Sequence, residues 1–486
     1  MKKDFVEYIK TEFGFSDEEV AKFEEALKRP LKKSVRINTR KISIEDFKKK
    51  VEAKGWILTS TPLGKNIFYV DRPEEQLNIA LGNTPEHISG YFYVQEVAAS
   101  SSPFYMSADK IDDGKYIILD MSASPGGKTT QLLEYYPNSL IVANELDKSR
   151  LKGFFSNLDR MSALKAVATN YDGRFFKQIP ELFDKVLLDA PCSGEGTAFK
   201  TDDALKYRNL KNIKNVAKLQ FGLLEAAIKT TKPGGEIVYS TCTLNKFENE
   251  GVINKALEKY GEYVEIVPIR PHPNPLLGEE REQEQFNTPS TNKGERARGG
   301  GFFKRNWPHL DLTGGFFIAK LKKVKSISTD ESLPLTRGKA RMGAVKQNFE
   351  KLSRNEESLV SDFFNKFGYD LKGKYLYKYK DEIHLTSENL NYIWDKIFLY
   401  KIGVNIGNIK DNSFVPTYYA GTFEKFSKNT VVLDKDGLDK LLQGFELEQN
   451  LEDGYYQVIH EDIPVGIAKQ KNGMLKSMVP TKMMRK

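Results

Sequence analysis

From about residue 95 the chain repeats one pattern: a short apolar run, a turn bearing glycine or proline, then apolar positions three and four apart. YIILDMSAS is followed by PGGKTTQLLEYY, and LIVANELD by SRLKGFFSNLDRM. KVLLDAPC precedes a segment in which Val216, Leu219, Leu223 and Ala227 share one helical face. TKPGGEIVYSTCT returns as a strand, and TGGFFIAKLKK, Thr313 to Lys323, reads as a strand paired with the aromatic segment before it. Strand, turn and helix in alternation predict an α/β domain, a parallel sheet with helices on both faces.

The flanks carry other patterns. SVRINTRKI and NIFYVD alternate as short strands around a helix, IEDFKKKVEAKG, that ends at Gly55. Lys322 to Lys346 reads as a basic linker, beyond which LKGKYLYKY and EIHLTSEN open another unit. GYYQVIHEDIPVGIAKQKNGMLKS reads as strands around turns such as Asn472-Gly473. The predicted division is therefore a small N-terminal α/β domain (1–90), a Rossmann-like domain (91–325), a linker with a first C-terminal domain (326–425), and a β-rich domain (426–486). Glu279 to Gly301 is polar and glycine-rich, and is expected to form a surface loop.

Charge adds a partner class. The 486 residues hold 74 Lys+Arg against 66 Asp+Glu. Ten of the basic residues and only two acids fall between Lys28 and Lys50; seven and three fall between Leu321 and Glu350. Such clusters attract phosphates. Two cysteines cannot build a disulfide framework or a four-thiolate zinc site, so no metal is expected. Low cysteine use fits a reducing compartment. No apolar run suits a signal peptide or a membrane span, so a soluble cytoplasmic chain, read as a monomer with no membrane partner, is expected.

The loop LDMSASPGGKTT resembles two sites. Its Gly127-Lys128-Thr129 matches the end of a phosphate-binding P-loop, and VLLDAP could pass as the acidic strand that holds magnesium. An NTPase is thus the rival enzyme. However, Ser122 stands where the P-loop pattern requires glycine, and Pro125 has no N–H to give a phosphate. The other reading is a nucleoside cofactor on the loop Ser122, Ala123, Ser124, Pro125, Gly126, Gly127 and Lys128. Glu145 ends the next strand, where an acid binds ribose hydroxyls, and Asp172 is placed for the base. With Asp189, three acids end successive strands, which suits S-adenosylmethionine better than ATP.

Both cysteines lie just past strands expected to be neighbours: Cys192 in DAPCSGEGT and Cys242 in YSTCTLNKFENE. They would face one cleft beside the cofactor. A thiol there has a use. Thiolate addition at C6 of cytosine makes C5 nucleophilic enough to take a methyl group, and elimination then restores the thiol. Asp189 could bind the cytosine edge. On the residues alone either thiol could attack. No histidine stands near either cysteine in sequence, which weakens a Cys–His hydrolase.

SASPGGKTT, DAPCSGEGT and YSTCTLNKFENE, in this order, resemble the Nop/Sun family of RNA cytosine-5-methyltransferases. GYFYVQEVAASS and TGGFFIAKL resemble the segments that flank that family's sheet, so the likeness covers roughly residues 30–325. Ser122 and Ser124 depart from the family's more usual cysteine or alanine and alanine. The resemblance implies an S-adenosylmethionine-dependent enzyme with Cys242 as nucleophile and Cys192 aiding product release. IGVNIGNIKDNSFVPTYYAG and PVGIAKQKNGMLKS are similar to the C-terminal half of a bacterial branch that acts on 16S rRNA and ends in a PUA-like RNA-binding domain. That implies 16S rRNA or the 30S subunit as partner, with transfer RNA as the alternative substrate. A non-catalytic RNA-binding assembly factor is the third reading. Retention of both cysteines argues against it.

Overall fold

The computed structural model describes residues 3–64, 66–107, 111–199, 205, 208–269, 301–327 and 345–480. Apart from Gly301, the expected surface loop Glu279–Gly301 lies outside the described residues, as does most of the basic linker.

The N-terminal sheet is antiparallel, with strands β1 (Ser34–Ile37), β2 (Ile57–Ser60), β3 (Ile67–Asp71) and β4 (Phe92–Val94) in the order β2-β3-β1-β4. Helix Ile44–Glu52 covers it through buried Phe47 and Val51. It ends three residues before Gly55, whose φ of +79° turns the chain into β2.

The central sheet holds β5 (Ile117–Asp120), β6 (Leu140–Asn144), β7 (Ala166–Thr169), β8 (Phe183–Asp189), β9 (Thr231–Thr241), β10 (Val264–Val267), β11 (Phe303–Asn306) and β12 (Phe316–Lys323). Its order is β10-β12-β9-β8-β5-β6-β7, with β11 paired to β12 as the sequence predicts. The five strands from β7 to β9 run parallel; β12 and β10 are antiparallel. Side chains alternate between two cores. Leu119, Val142, Val186 and Ile237 enter one, while Ile118, Ile141, Leu187 and Val238 enter the other. Burial on both faces explains why these strands read as unbroken apolar runs.

The C-terminal half is β-rich, with one five-stranded sheet within 350–416 and another within 430–477. In the second sheet Ile463–Lys471 and Met474–Ser477 form the hairpin predicted around Asn472-Gly473, both residues having positive φ. A two-residue strand, Lys401–Ile402, pairs antiparallel with β7 and so extends the edge of the central sheet. The Lys401 ammonium bonds Asp159 at 2.6 Å, fixing that edge.

Two arrangements could not be read from the sequence. Helices Lys3–Phe13 and Asp17–Lys28 pack not on the N-terminal sheet but on Leu244 and Trp307 of the central domain. In addition, three cations of the basic run turn inward. Arg36, Arg40 and Lys41 bond groups in the central domain and Arg29 pairs with Glu25, while Lys28, Lys32 and Lys33 stay exposed. No helix among the described residues is long and apolar enough to cross a membrane.

Candidate active site

The C-terminal ends of β5, β6, β7, β8 and β9 form one rim, and every residue singled out for chemistry lies on or just beyond it. The chain leaves β5 at Asp120 and crosses Ser122, Ala123, Ser124 and Pro125 before entering helix Gly127–Tyr135. Gly126 has φ +103°, a conformation that side chains resist, and a Cβ there would stand 3.2 Å from the Phe154 ring. Three side chains hold the loop by its carbonyls. Arg150 bonds Ser124 O at 2.7 Å, Asn157 bonds Pro125 O at 3.0 Å, and Arg36 bonds Gly127 O at 2.7 Å. The Ser124–Pro125 peptide is cis.

Lys128 does not point to an open phosphate site. Its ammonium bonds Asp189 Oδ2 at 2.7 Å, while Ser240 donates to Asp189 Oδ1 at 2.8 Å. Glu145, just past β6, is buried and accepts from the Asp147 amide at 2.8 Å; Arg150 stands 3.3 Å from its other oxygen. Asp172, beyond β7, caps the turn Gly173–Gln178 and is held below the usual carboxylate range, chiefly by its hydrogen bond with Arg174.

The two cysteines meet. β8 and β9 are adjacent and parallel, with Asp189 opposite Ser240, and their following loops bring Cys192 Sγ and Cys242 Sγ to 3.0 Å. The pair is polarised. The hydrogen bond shared with Cys192 lowers the Cys242 thiol, and the Lys128 charge acts the same way. The same bond, with burial, pushes Cys192 well up. The two thiols titrate as a pair, with the Lys128 charge on the side of Cys242.

Two buried carboxylates hold these loops together. Glu195 Oε2 accepts from Thr243 Oγ1 at 2.9 Å, Leu244 N at 3.2 Å, Asn245 N at 2.9 Å and Asn245 Nδ2 at 3.0 Å. Its Oε1 accepts from Arg208 at 2.8 Å. Glu248 works in the opposite direction, accepting from Ser193 N and Gln220 Nε2, each at 2.9 Å. Ser193 and Thr243 hydroxyls meet at 2.7 Å, and Gly196 N donates to Cys242 O at 2.9 Å. The TGG segment closes the back: Gly315 N donates to Gly196 O at 2.9 Å, and a Cβ on Gly196 would fall 2.2 Å from Gly315 O. Glu96, from GYFYVQEVAASS, accepts from Gly314 N at 3.0 Å.

Sequence reasoning missed Asp120, Glu195, Glu248 and Asn245. Asp120 is fully buried, bonded by Thr129 Oγ1 at 2.7 Å, and pushed up by burial to about 7. Its ending of YIILD mirrors Asp189 ending KVLLD, a signal that was there to read. The two glutamates carried no such signal, because nothing in a polar turn announces that its carboxylate is buried.

A doubly wound sheet with a glycine loop after β5, acids along its rim and two apposed thiols defines a Rossmann-like methyltransferase. The chain belongs to the 16S rRNA methyltransferase RsmB/F family, whose profile matches residues 109–322, while the N-terminal domain profile of 16S rRNA methyltransferase RsmF matches residues 1–97. It is 32% identical to ribosomal RNA small subunit methyltransferase F of Aeromonas salmonicida over 95% of this chain and 93% of that one. The same-named protein of Vibrio parahaemolyticus is 36% identical over 81% of this chain and 77% of its own. Among solved structures, a methyltransferase homolog from Pyrococcus horikoshii aligns with TM-score 0.50 and 29% identity, covering 67% of this chain and 100% of that one. NSun6 from Pyrococcus horikoshii, solved with SFG, aligns with TM-score 0.51 and 25% identity over 67% and 99%.

Proposed function

We propose that the protein methylates C5 of a cytosine in 16S rRNA through a covalent adduct at C6. The observation that carries this reading is the meeting of two thiols, 3.0 Å apart just past the ends of adjacent parallel strands, with the Lys128 charge favouring the Cys242 thiolate. Cys242 adds as thiolate to C6, so that C5 gains enamine character. After methylation, a base takes the C5 proton, the C5–H electrons form the C5–C6 double bond, and the C6–S bond breaks with its electron pair on Cys242, which restores the ring and frees the enzyme. Cys192, 3.0 Å away, assists that release. Asp189, held by Lys128 and Ser240, faces this cleft as the group for the cytosine edge.

The residues fit S-adenosylmethionine. Asp120 Oδ1 is buried without a hydrogen-bond partner at the loop, and Glu145 stands at the end of β6 for a ribose diol. Ser122 to Lys128, with Glu145, Asp172 and Asp189, would hold the cofactor, Asp172 by loosening its contact with Arg174 and Asp189 from the edge it shares with the cytosine. Bound there, the cofactor supplies an electrophilic methyl group. The matched NSun6 structure, solved with SFG, supports this assignment. The family's name supports 16S rRNA as substrate, and the β-rich C-terminal half, read as ending in a PUA-like domain, would add RNA contacts.

The test is label transfer from S-adenosylmethionine to unmodified 30S subunits, free 16S rRNA and transfer RNA, with bisulfite mapping. Label at C5 of a 16S cytosine is expected. Label confined to transfer RNA would overturn the substrate, and label off C5 would overturn the chemistry. The lowered Cys242 predicts that kcat/KM rises with pH and levels off below the ordinary thiol range.

A further inference from the structure

Helices Leu210–Thr230 and Glu250–Tyr260 pack side by side next to the cysteine loops and leave between them a groove of about 230 Å³. Its floor includes Phe221 and Phe247; its rim carries Lys214, Lys218 and Lys255. All three lysines are exposed, and none forms an ion pair among the described residues. Their neighbour Lys259 differs, being bonded to Glu225 at 2.6 Å. Lys255 lies 4.4 Å from the Phe221 ring centroid and Lys214 lies 5.7 Å from that of Phe247. Three lysines without an ion pair among the described residues thus surround an aromatic floor.

The groove is continuous with the thiol loops. Phe247 is 37% exposed, lies in the same loop as Cys242, and precedes Glu248, which holds the amide beside Cys192. Gln220, on the helix that forms one wall, also reaches Pro191 O at 2.8 Å.

We propose that this groove holds the single-stranded RNA that runs on from the nucleotide over the two thiols, an inference that rests on the RNA-methylating function above. A base must leave its stack to reach a sulfur, so the strand beside it is single-stranded. Such strands are held by cations along the backbone and aromatic faces for the bases. Lysine suits the first task because its compact charge takes a phosphate oxygen from many directions. An acidic protein would be a poorer occupant, since the floor offers rings where carboxylates would need donors.

The test uses the full chain and a fluorescein-labelled ten-residue oligouridylate, with anisotropy read from 50 to 200 mM salt. The K214Q/K218Q/K255Q variant should lower the slope of log affinity on log salt by about two, three phosphate contacts at ~0.7 each. The K214E/K218E/K255E variant should weaken binding about tenfold or more. Phe247→Ala should weaken it about fivefold or more with an unchanged salt slope, the mark of a stacking contact. Calorimetric S-adenosylmethionine binding, unchanged in all three, shows that they are folded. Unchanged oligonucleotide affinity and slope in folded variants would overturn the proposal. Loss of 30S binding with oligonucleotide binding intact would also overturn it, assigning the face to a ribosomal protein. Wild-type protein that binds the oligonucleotide through these residues, yet methylates no RNA, would leave the groove standing and overturn the function instead.

Discussion

Two regions bury charge by opposite means. At the cysteine loops, Glu195 and Glu248 collect N–H and O–H donors from two irregular turns. At the junction of the N-terminal sheet with the other units, Arg40, Lys41 and Arg160 collect carbonyls. Arg40 bonds Met161 O at 2.6 Å, Lys41 bonds Ser89 O and Thr422 O at 2.7 Å each, and Arg160 bonds His87 O at 2.8 Å. Burial lowers Arg40 and Arg160 to about 10. The signs follow the backbone. Helix Lys148–Arg160 ends at the junction, where unpaired carbonyls favour cations. Turns around the cysteines present amides, which favour carboxylates. The acids set where two sulfurs stand; the cations set where domains stand.

The sharpest way to break this contrast is Glu195→Ala. It leaves the Arg208 charge and the donors of Thr243, Leu244 and Asn245 without their shared acceptor. Loss of about 3–5 kcal/mol is expected in denaturant unfolding, together with a collapse of methyl transfer in the protein that remains folded. A junction variant should behave differently. Lys41→Met strands the Ser89, Arg160 and Thr422 carbonyls and should cost about 1–3 kcal/mol. Its kcat should stay at the wild-type value, measured on folded protein.

A third effect is one of pH. Burial raises Glu134, beside Arg36, and Asp120, in the cofactor loop, each to about 7. Between the ordinary carboxylate value and about 7 the folded state binds more protons than the unfolded one. The contribution of these groups to stability is therefore fully present at the acid end of that window and is lost as pH rises through about 7. Melting temperatures from pH 5 to 8 should show a smaller decline in Glu134→Gln and Asp120→Asn than in the wild type. Equal declines would place the proton uptake elsewhere.

The central sheet was legible because doubly buried strands leave continuous apolar runs that no surface element imitates. Its rim was legible too, since Glu145, Asp172 and Asp189 each follow such a run. The meeting of Cys192 and Cys242 came from the expected adjacency of β8 and β9, and the register of Asp189 with Ser240 brings it about. What could not be read was the inside of polar segments. Arg36, Arg40 and Lys41 look like their exposed neighbours in the basic run, and only the carbonyls they meet set them apart. Helix Lys3–Phe13 shows an amphipathic pattern that says one face is buried, but not that Trp307 lies beneath it.

The most direct measurement is denaturing gel mobility of the full protein after incubation with labelled, unmodified 16S rRNA and S-adenosylmethionine. Cys192→Ala should accumulate a covalent protein–RNA band that vanishes in the Cys192→Ala, Cys242→Ala double variant. Cys242→Ala alone should bind S-adenosylmethionine yet transfer no methyl group. A covalent band or methyl transfer that survives loss of Cys242 would contradict the account.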